Sequence, residues 1–98
     1  MPDRQYCIYM MTNSRHTSLY TGVTNDLMRR VMEHREGRGG AFTSKYKCYH
    51  LVYFECGDDV NVAISREKQI KAGSRQDKLD LIKRLNPEWR DLFEDFFV

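Results

Sequence analysis

Apolar and polar positions along the chain change their period several times, and each change marks an element. QYCIYMM at 5–11 is rich in aromatic and β-branched types and predicts a strand. TNSRHTS at 12–18 is polar and turn-forming, and LYTGV at 19–23 predicts a second short strand, so the two make a hairpin with a longish loop. A helical period then runs to about Glu36, with Asn25 or Thr24 as cap and Asp26 favourable at the positive end. The glycines of GRGG at 37–40 stop it. AFTSKYK at 41–47 reads as a loop. YHLVYFE at 49–55 is strongly apolar and predicts a buried third strand. CGDD turns the chain into a helix from about Val60 to Ala72, closed by Gly73. Ser74 and Asp77 form a capping box that opens a further helix to about Leu85. In NPEW, Asn86 caps and Pro87 opens a last short helix. The order predicts an α/β (α+β) fold: a small three-stranded sheet, antiparallel or mixed, flanked by helices, in a single domain over 1–98.

The helical periods carry an anomaly. At ~100° per residue from Leu27, Val31 falls near ~40°, Arg30 near about −60° and His34 near about −20°, whereas Arg29 falls near ~200°. Of two adjacent arginines, only Arg30 is aimed at the sheet. From Val60, the residues Ala63, Ile64 and Ile70 cluster within about 80°, yet Glu67 and Lys71 fall within ~20° of the stripe's centre. A carboxylate there needs a cation, a metal or hydrogen bonds to meet it. Glu67 with Lys71 at i, i+4 and a snorkelling Arg30 make a purely structural reading available. Two helices that both point charge at one sheet make a second: Arg30 and Glu67 converge on a cleft. Tyr9 and Tyr20 lie in the first two strands, each with an ordinary role as core or cross-strand partner. Gly22 marks a bulge or a place where a ligand nears the backbone.

Composition adds limits. The 98 residues are 41% hydrophobic and 31% charged, a globular balance, and the net charge of +2 announces no polyanion partner. The distribution says more. Residues 29–47 hold six Lys or Arg against two Glu, residues 66–84 hold seven against three acids, and the last thirteen hold one Arg against four acids. Cys7, Cys48 and Cys56 are odd in number and lack C-x-x-C spacing, which argues against a disulfide framework or a zinc site and fits a reducing, cytoplasmic location. No run is long enough for a signal peptide or a membrane span.

These residues resemble the GIY-YIG nuclease domain family, in particular its small stand-alone bacterial members. Cys7-Ile8-Tyr9 matches the first signature and Tyr20-Thr21-Gly22 the second; Arg30 follows the glycine by eight positions and His34 by twelve. SREKQIK matches the segment that holds the family's metal-binding glutamate, here Glu67. Cys7 replaces the family's glycine and Thr21 its isoleucine, both scaffold positions. AGS at 72–74 stands where related small proteins carry a tryptophan, and Asn86 is similar in place to an asparagine some members use near substrate.

The resemblance implies a metal-dependent endonuclease that hydrolyses DNA phosphodiester bonds, structure-specific or weakly sequence-selective, in repair or recombination. It implies Mg²⁺ or Mn²⁺ on Glu67, Arg30 on the phosphate, Tyr9 and Tyr20 positioning or deprotonating water, and His34 as proton shuttle or orienting group. Arg35, Arg38, Lys45, Lys47 and Lys71 are the candidate backbone contacts, with Phe42 and Tyr46 as rings for an unpaired base. The alternative is a nucleic-acid-binding module or an interaction adaptor with little or no cleavage. A protein partner would then dock through the acidic tail, where Phe93, Phe96 and Phe97 are either core or an exposed patch.

Overall fold

A computed structural model describes residues 5–97. Strands β1 (Tyr6–Thr12), β2 (Leu19–Thr24) and β3 (His50–Gly57) form one sheet in the order β2-β1-β3, with both pairings antiparallel. Because β1 is central it is covered on both faces, so six of its seven residues are buried and its sequence shows no polar alternation. Helices α1 (Leu27–Arg35), α2 (Ala41–Tyr46), α3 (Val60–Ala72) and α4 (Arg75–Leu85) follow, with a 3₁₀ helix at Leu92–Phe97.

Alternation along β1 splits the core in two. Ile8 and Met10 pack with Val52 and Tyr53 against Ala63 and Ile70 of α3 and Ile82 of α4. Tyr9 and Met11 pack on the other face with Leu51, Val31 of α1, and Leu92 and Phe93 of the 3₁₀ helix. Thus α1 and α3 cover opposite faces of the sheet. A helical wheel shows which residues point at a sheet but not at which of its faces, so the expected shared cleft does not follow.

Several local expectations are corrected. Asp26 is the N-cap of α1, its carboxylate accepting from the Arg29 N–H at 3.2 Å, while Thr24 accepts from Asp26 N at 3.1 Å. AFTSKYK is no simple loop: α2 forms because Thr43 is buried and bonded across the fold, a tertiary contact invisible to local propensity. In α3 the inward line is Ala63, Glu67, Ile70, whereas Val60 and Ile64 are exposed. The α4 capping box is present as expected. NPEW starts no helix; Asn86 instead ends α4. Its buried amide donates to Val52 O at 3.2 Å and Arg90 O at 2.8 Å, which ties the chain to β3 and occupies the group that the resemblance placed near substrate.

The cysteine reading is also overturned. Strand register, which residue spacing does not reveal, sets Cys7 opposite Cys56 with Cα atoms 4.1 Å apart, and the two are disulfide-bonded; Cys48 is buried and free. The inference from cysteine usage to a reducing compartment therefore loses its premise. Phe93 is buried and Phe96 packs against the same cluster, so these two are core; the Phe97 side chain lies outside the described residues. Among the described residues no helix is long and apolar enough to cross a membrane.

Candidate functional site

Four of the expected residues meet on the α1 face of the sheet. β1 supplies Tyr9, and the register that pairs Met11 with Tyr20 and Tyr9 with Gly22 puts Tyr20 on the same face. The two phenol rings are 6.1 Å apart between centroids, and the His34 ring lies 5.6 Å from Tyr9 and 5.2 Å from Tyr20. Gly22 leaves the room for this: a Cβ there would sit 2.6 Å from Tyr9 Oη and 3.0 Å from Tyr20 Cε2. It therefore serves a close approach of rings.

His34, fully buried on α1, is held at both nitrogens. Nε2 lies 2.8 Å from Tyr9 Oη and Nδ1 lies 2.9 Å from Thr43 Oγ1. The Thr43 hydroxyl donates its own proton to Gly40 O at 3.4 Å, so it accepts from Nδ1–H. That leaves Nε2 bare to accept from the Tyr9 phenol. Burial, reinforced by the Arg30 charge, pulls His34 down to about 4, so the imidazole is neutral near pH 7, as this chain of bonds requires. Burial also pushes the Tyr9 phenol well above its usual value, although Arg30 acts the other way. Tyr9 is thus a protonated phenol with a bare imidazole nitrogen as its acceptor.

Arg30 stands at the half-buried margin of this group. Its guanidinium donates to Glu33 Oε1 at 3.1 Å and to Gly39 O at 2.9 Å, and it interacts electrostatically with the Tyr9 and Tyr20 phenols. Burial disfavours the cation, but the bond to Glu33 and the interaction with the phenols outweigh it and lift the group above its ordinary value. Arg30 is a permanent charge beside two phenols and a neutral imidazole. It resists desolvation by facing partly outward.

Three residues of this network were not foreseen. Glu33 anchors Arg30, Thr43 selects the His34 tautomer, and Gly39 does two things at once. Its carbonyl accepts from Arg30, and a Cβ at Gly39 would fall 1.9 Å from His34 Nδ1. GRGG is therefore more than a helix stop: the segment folds back over α1, with Gly37 and Gly40 at positive φ supplying the turn. The only sequence signal was three glycines within four residues, and it did not show which one carries a close contact.

Glu67 is not brought into this group. It lies on α3, half-buried with 14% of its side chain exposed, and pairs with Lys71 at 2.9 Å. No described hydrogen bond or ion pair joins it to Tyr9, Tyr20, Arg30 or His34. Among the described residues, no group of three or more His, Cys, Asp or Glu gathers as a metal site. A single carboxylate suffices for a magnesium-type cation that keeps several waters and takes further oxygens from a phosphate, but Glu67 would first have to give up its pair with Lys71. α3 also packs against β2, the edge strand that carries Tyr20 and Gly22.

The expected nucleic-acid residues divide. Arg35 donates to Asp91 at 2.7 Å and lies over the Phe93 ring at 5.0 Å, on the side of the 3₁₀ helix. Arg38 pairs with Glu36, and Lys71 with Glu67. Phe42, Lys45, Tyr46 and Lys47 are all exposed on α2 and its end, and the Phe42 ring lies 6.2 Å from that of Tyr20 between centroids.

A three-stranded antiparallel sheet with two tyrosines, an arginine and a histidine gathered on one face defines an α+β protein with a cationic, phenol-lined site on that face. The chain belongs to the GIY-YIG family: the family's profile, described as the GIY-YIG catalytic domain, matches residues 5–80. It is similar to a UPF0213 protein of Haloquadratum walsbyi, 47% identical over 81 residues that cover 83% of this chain and 89% of the relative. A UPF0213 protein of Staphylococcus saprophyticus is 40% identical over 80 residues, covering 82% and 95%. The solution NMR structure of a UPF0213 protein from Bacillus halodurans superimposes with a TM-score of 0.58 at 25% identity, covering 89% of this chain and 92% of that one. That structure supports the antiparallel α+β architecture.

Proposed function

We propose that the protein is a divalent-metal-dependent endonuclease that hydrolyses DNA phosphodiester bonds, structure-specific or weakly sequence-selective. The carrying observation is the bond between a protonated Tyr9 and a neutral, tautomer-fixed His34 beside Arg30. Arg30 binds a phosphate oxygen with its fork of donors and offsets charge that grows on phosphorus-bound oxygen in the transition state. Tyr20 orients the attacking water against Tyr9. As the water's oxygen bonds to phosphorus, Tyr9 Oη takes its proton and passes its own to His34 Nε2; the P–O bond to the leaving oxygen breaks, the leaving alkoxide takes a proton from solvent water, and His34 later returns its extra proton to solvent. Tyr9 is neutral before and after, so no free phenolate need accumulate. In the free protein this transfer is steeply uphill, because the phenol is raised and the imidazole lowered. A bound phosphodiester cancels the Arg30 charge that helps hold His34 down, which shifts the balance toward imidazolium.

Glu67 would hold the cation, Mg²⁺ or Mn²⁺, which supplies Lewis-acid polarisation of a phosphate oxygen. Processing of branched DNA in repair or recombination is the setting that suits weakly sequence-selective cleavage. The pairing of Glu67 with Lys71, apart from the other residues, favours one second reading: a DNA-binding module or adaptor that cleaves little.

The test compares wild type, Arg30→Ala and Glu67→Gln on branched, flapped and single-stranded DNA, with Mg²⁺ and with EDTA. Cleavage by wild type that needs the metal and falls by about 10²–10³ in each variant supports the reading. Metal-independent cleavage, or full activity in Arg30→Ala, removes it. Salt-sensitive binding without cleavage in wild type selects the second reading.

A further inference from the structure

We propose that α2 is a stacking platform for an unpaired nucleotide next to the scissile phosphate, so that the substrate class is DNA with single-stranded character at the cut. This inference rests on the nuclease reading above and names its substrate. Its basis is a file of aromatic rings that leads from the buried site to solvent. Tyr9 and Tyr20 are 6.1 Å apart, Tyr20 and Phe42 6.2 Å apart, and Phe42 and Tyr46 4.8 Å apart between centroids. The inner rings belong to the site. The outer two, at i and i+4 on one face of α2, are 43% and 42% exposed.

A six-residue helix has no stability of its own in water, so α2 is placed by what holds it. That anchor is Thr43, buried and bonded to His34. The exposed rings are therefore registered to the imidazole that takes the proton from Tyr9. Cations border them. Lys45 Nζ lies 5.3 Å from the Tyr46 ring, and Lys47 follows in the left-handed conformation that ends the helix. Rings for bases with ammonium groups for the adjoining phosphates form the recognition surface of single strands. Paired bases inside a duplex present no free face to such rings. An apolar protein partner would have to desolvate the lysines to reach the same two side chains.

The test measures fluorescence anisotropy in EDTA with three labelled DNAs of one sequence: a single strand, a flapped duplex and a blunt duplex. Wild type is compared with Phe42→Ala, Tyr46→Ala and Phe42→Trp, each checked for folding by circular dichroism. The expected result is tighter binding of the single strand and the flap. About a tenfold loss on those two should follow for each alanine variant, with no change on the blunt duplex and with binding retained by tryptophan. A 2-aminopurine placed at the flap junction should be quenched by wild type and not by the alanine variants. Alanine variants that bind all three DNAs like wild type, or that lose affinity equally on the blunt duplex, would overturn the platform. Because binding is read without metal, its failure leaves the cleavage reading standing, and a failure of cleavage leaves the binding result readable.

Discussion

Acid should weaken this fold through one residue. His34 is fully buried and titrates near 4 in the folded chain, against an ordinary value of 6.5. On acidification the unfolded chain takes its proton first. The stability present above about pH 6.5 is therefore lost as pH falls toward the folded value, and the loss levels off below it. Each pH unit across that window costs about 1.4 kcal/mol, so from pH 6.5 to 4 the loss is about 3 kcal/mol, a sizeable part of a small domain's stability. Urea denaturation of wild type and His34→Gln at half-unit steps from pH 7.5 to 4 isolates it, since glutamine does not titrate. Carboxylates held low by arginine, such as Glu33 and Glu55, contribute alike to both proteins and cancel in the difference. The gap between the two curves should change by about 3 kcal/mol across the window. A gap that stays constant would refute the claim that His34 is held neutral by its surroundings.

Other consequences can be checked in the same way. Thr43→Val should strand the buried Nδ1–H of His34 and cost about 1–3 kcal/mol, whereas Thr43→Ser restores both stability and the tautomer seen in ¹⁵N NMR of the imidazole. Gly39→Ala should push the imidazole off Tyr9, lowering stability by about 1–3 kcal/mol together with any cleavage; an alanine variant with wild-type denaturation and activity would show that the loop does not clamp His34. Reducing the Cys7–Cys56 bond, which spans 49 residues, should lower stability by about 4 kcal/mol on loop entropy alone. The readout is the urea midpoint with and without reductant, and Cys56→Ser should show no such dependence.

The sequence carried the parts of this architecture that depend on local pattern. The α4 capping box, the span of α3 and the inward aim of Arg30 and His34 followed from residue types and a period of 3.6. What was not legible depends on how separate segments come back together. The wheel placed Glu67 toward a sheet, but the face that α3 covers is decided by the path after β3. Cys7 and Cys56 meet through strand register, and α2 exists because a buried threonine meets a histidine nine positions earlier. Gly39 shows the same limit: nothing in GRGG tells which glycine lies against an imidazole.

The most direct measurement is single-turnover cleavage of a flapped duplex by Tyr9→Phe with Mg²⁺, alongside its DNA affinity in EDTA. The variant keeps the buried ring and removes only the hydroxyl that bonds to His34. The rate should fall by about 10²–10⁴ with little change in affinity. A wild-type rate in Tyr9→Phe would contradict the assignment of proton transfer to the Tyr9–His34 pair.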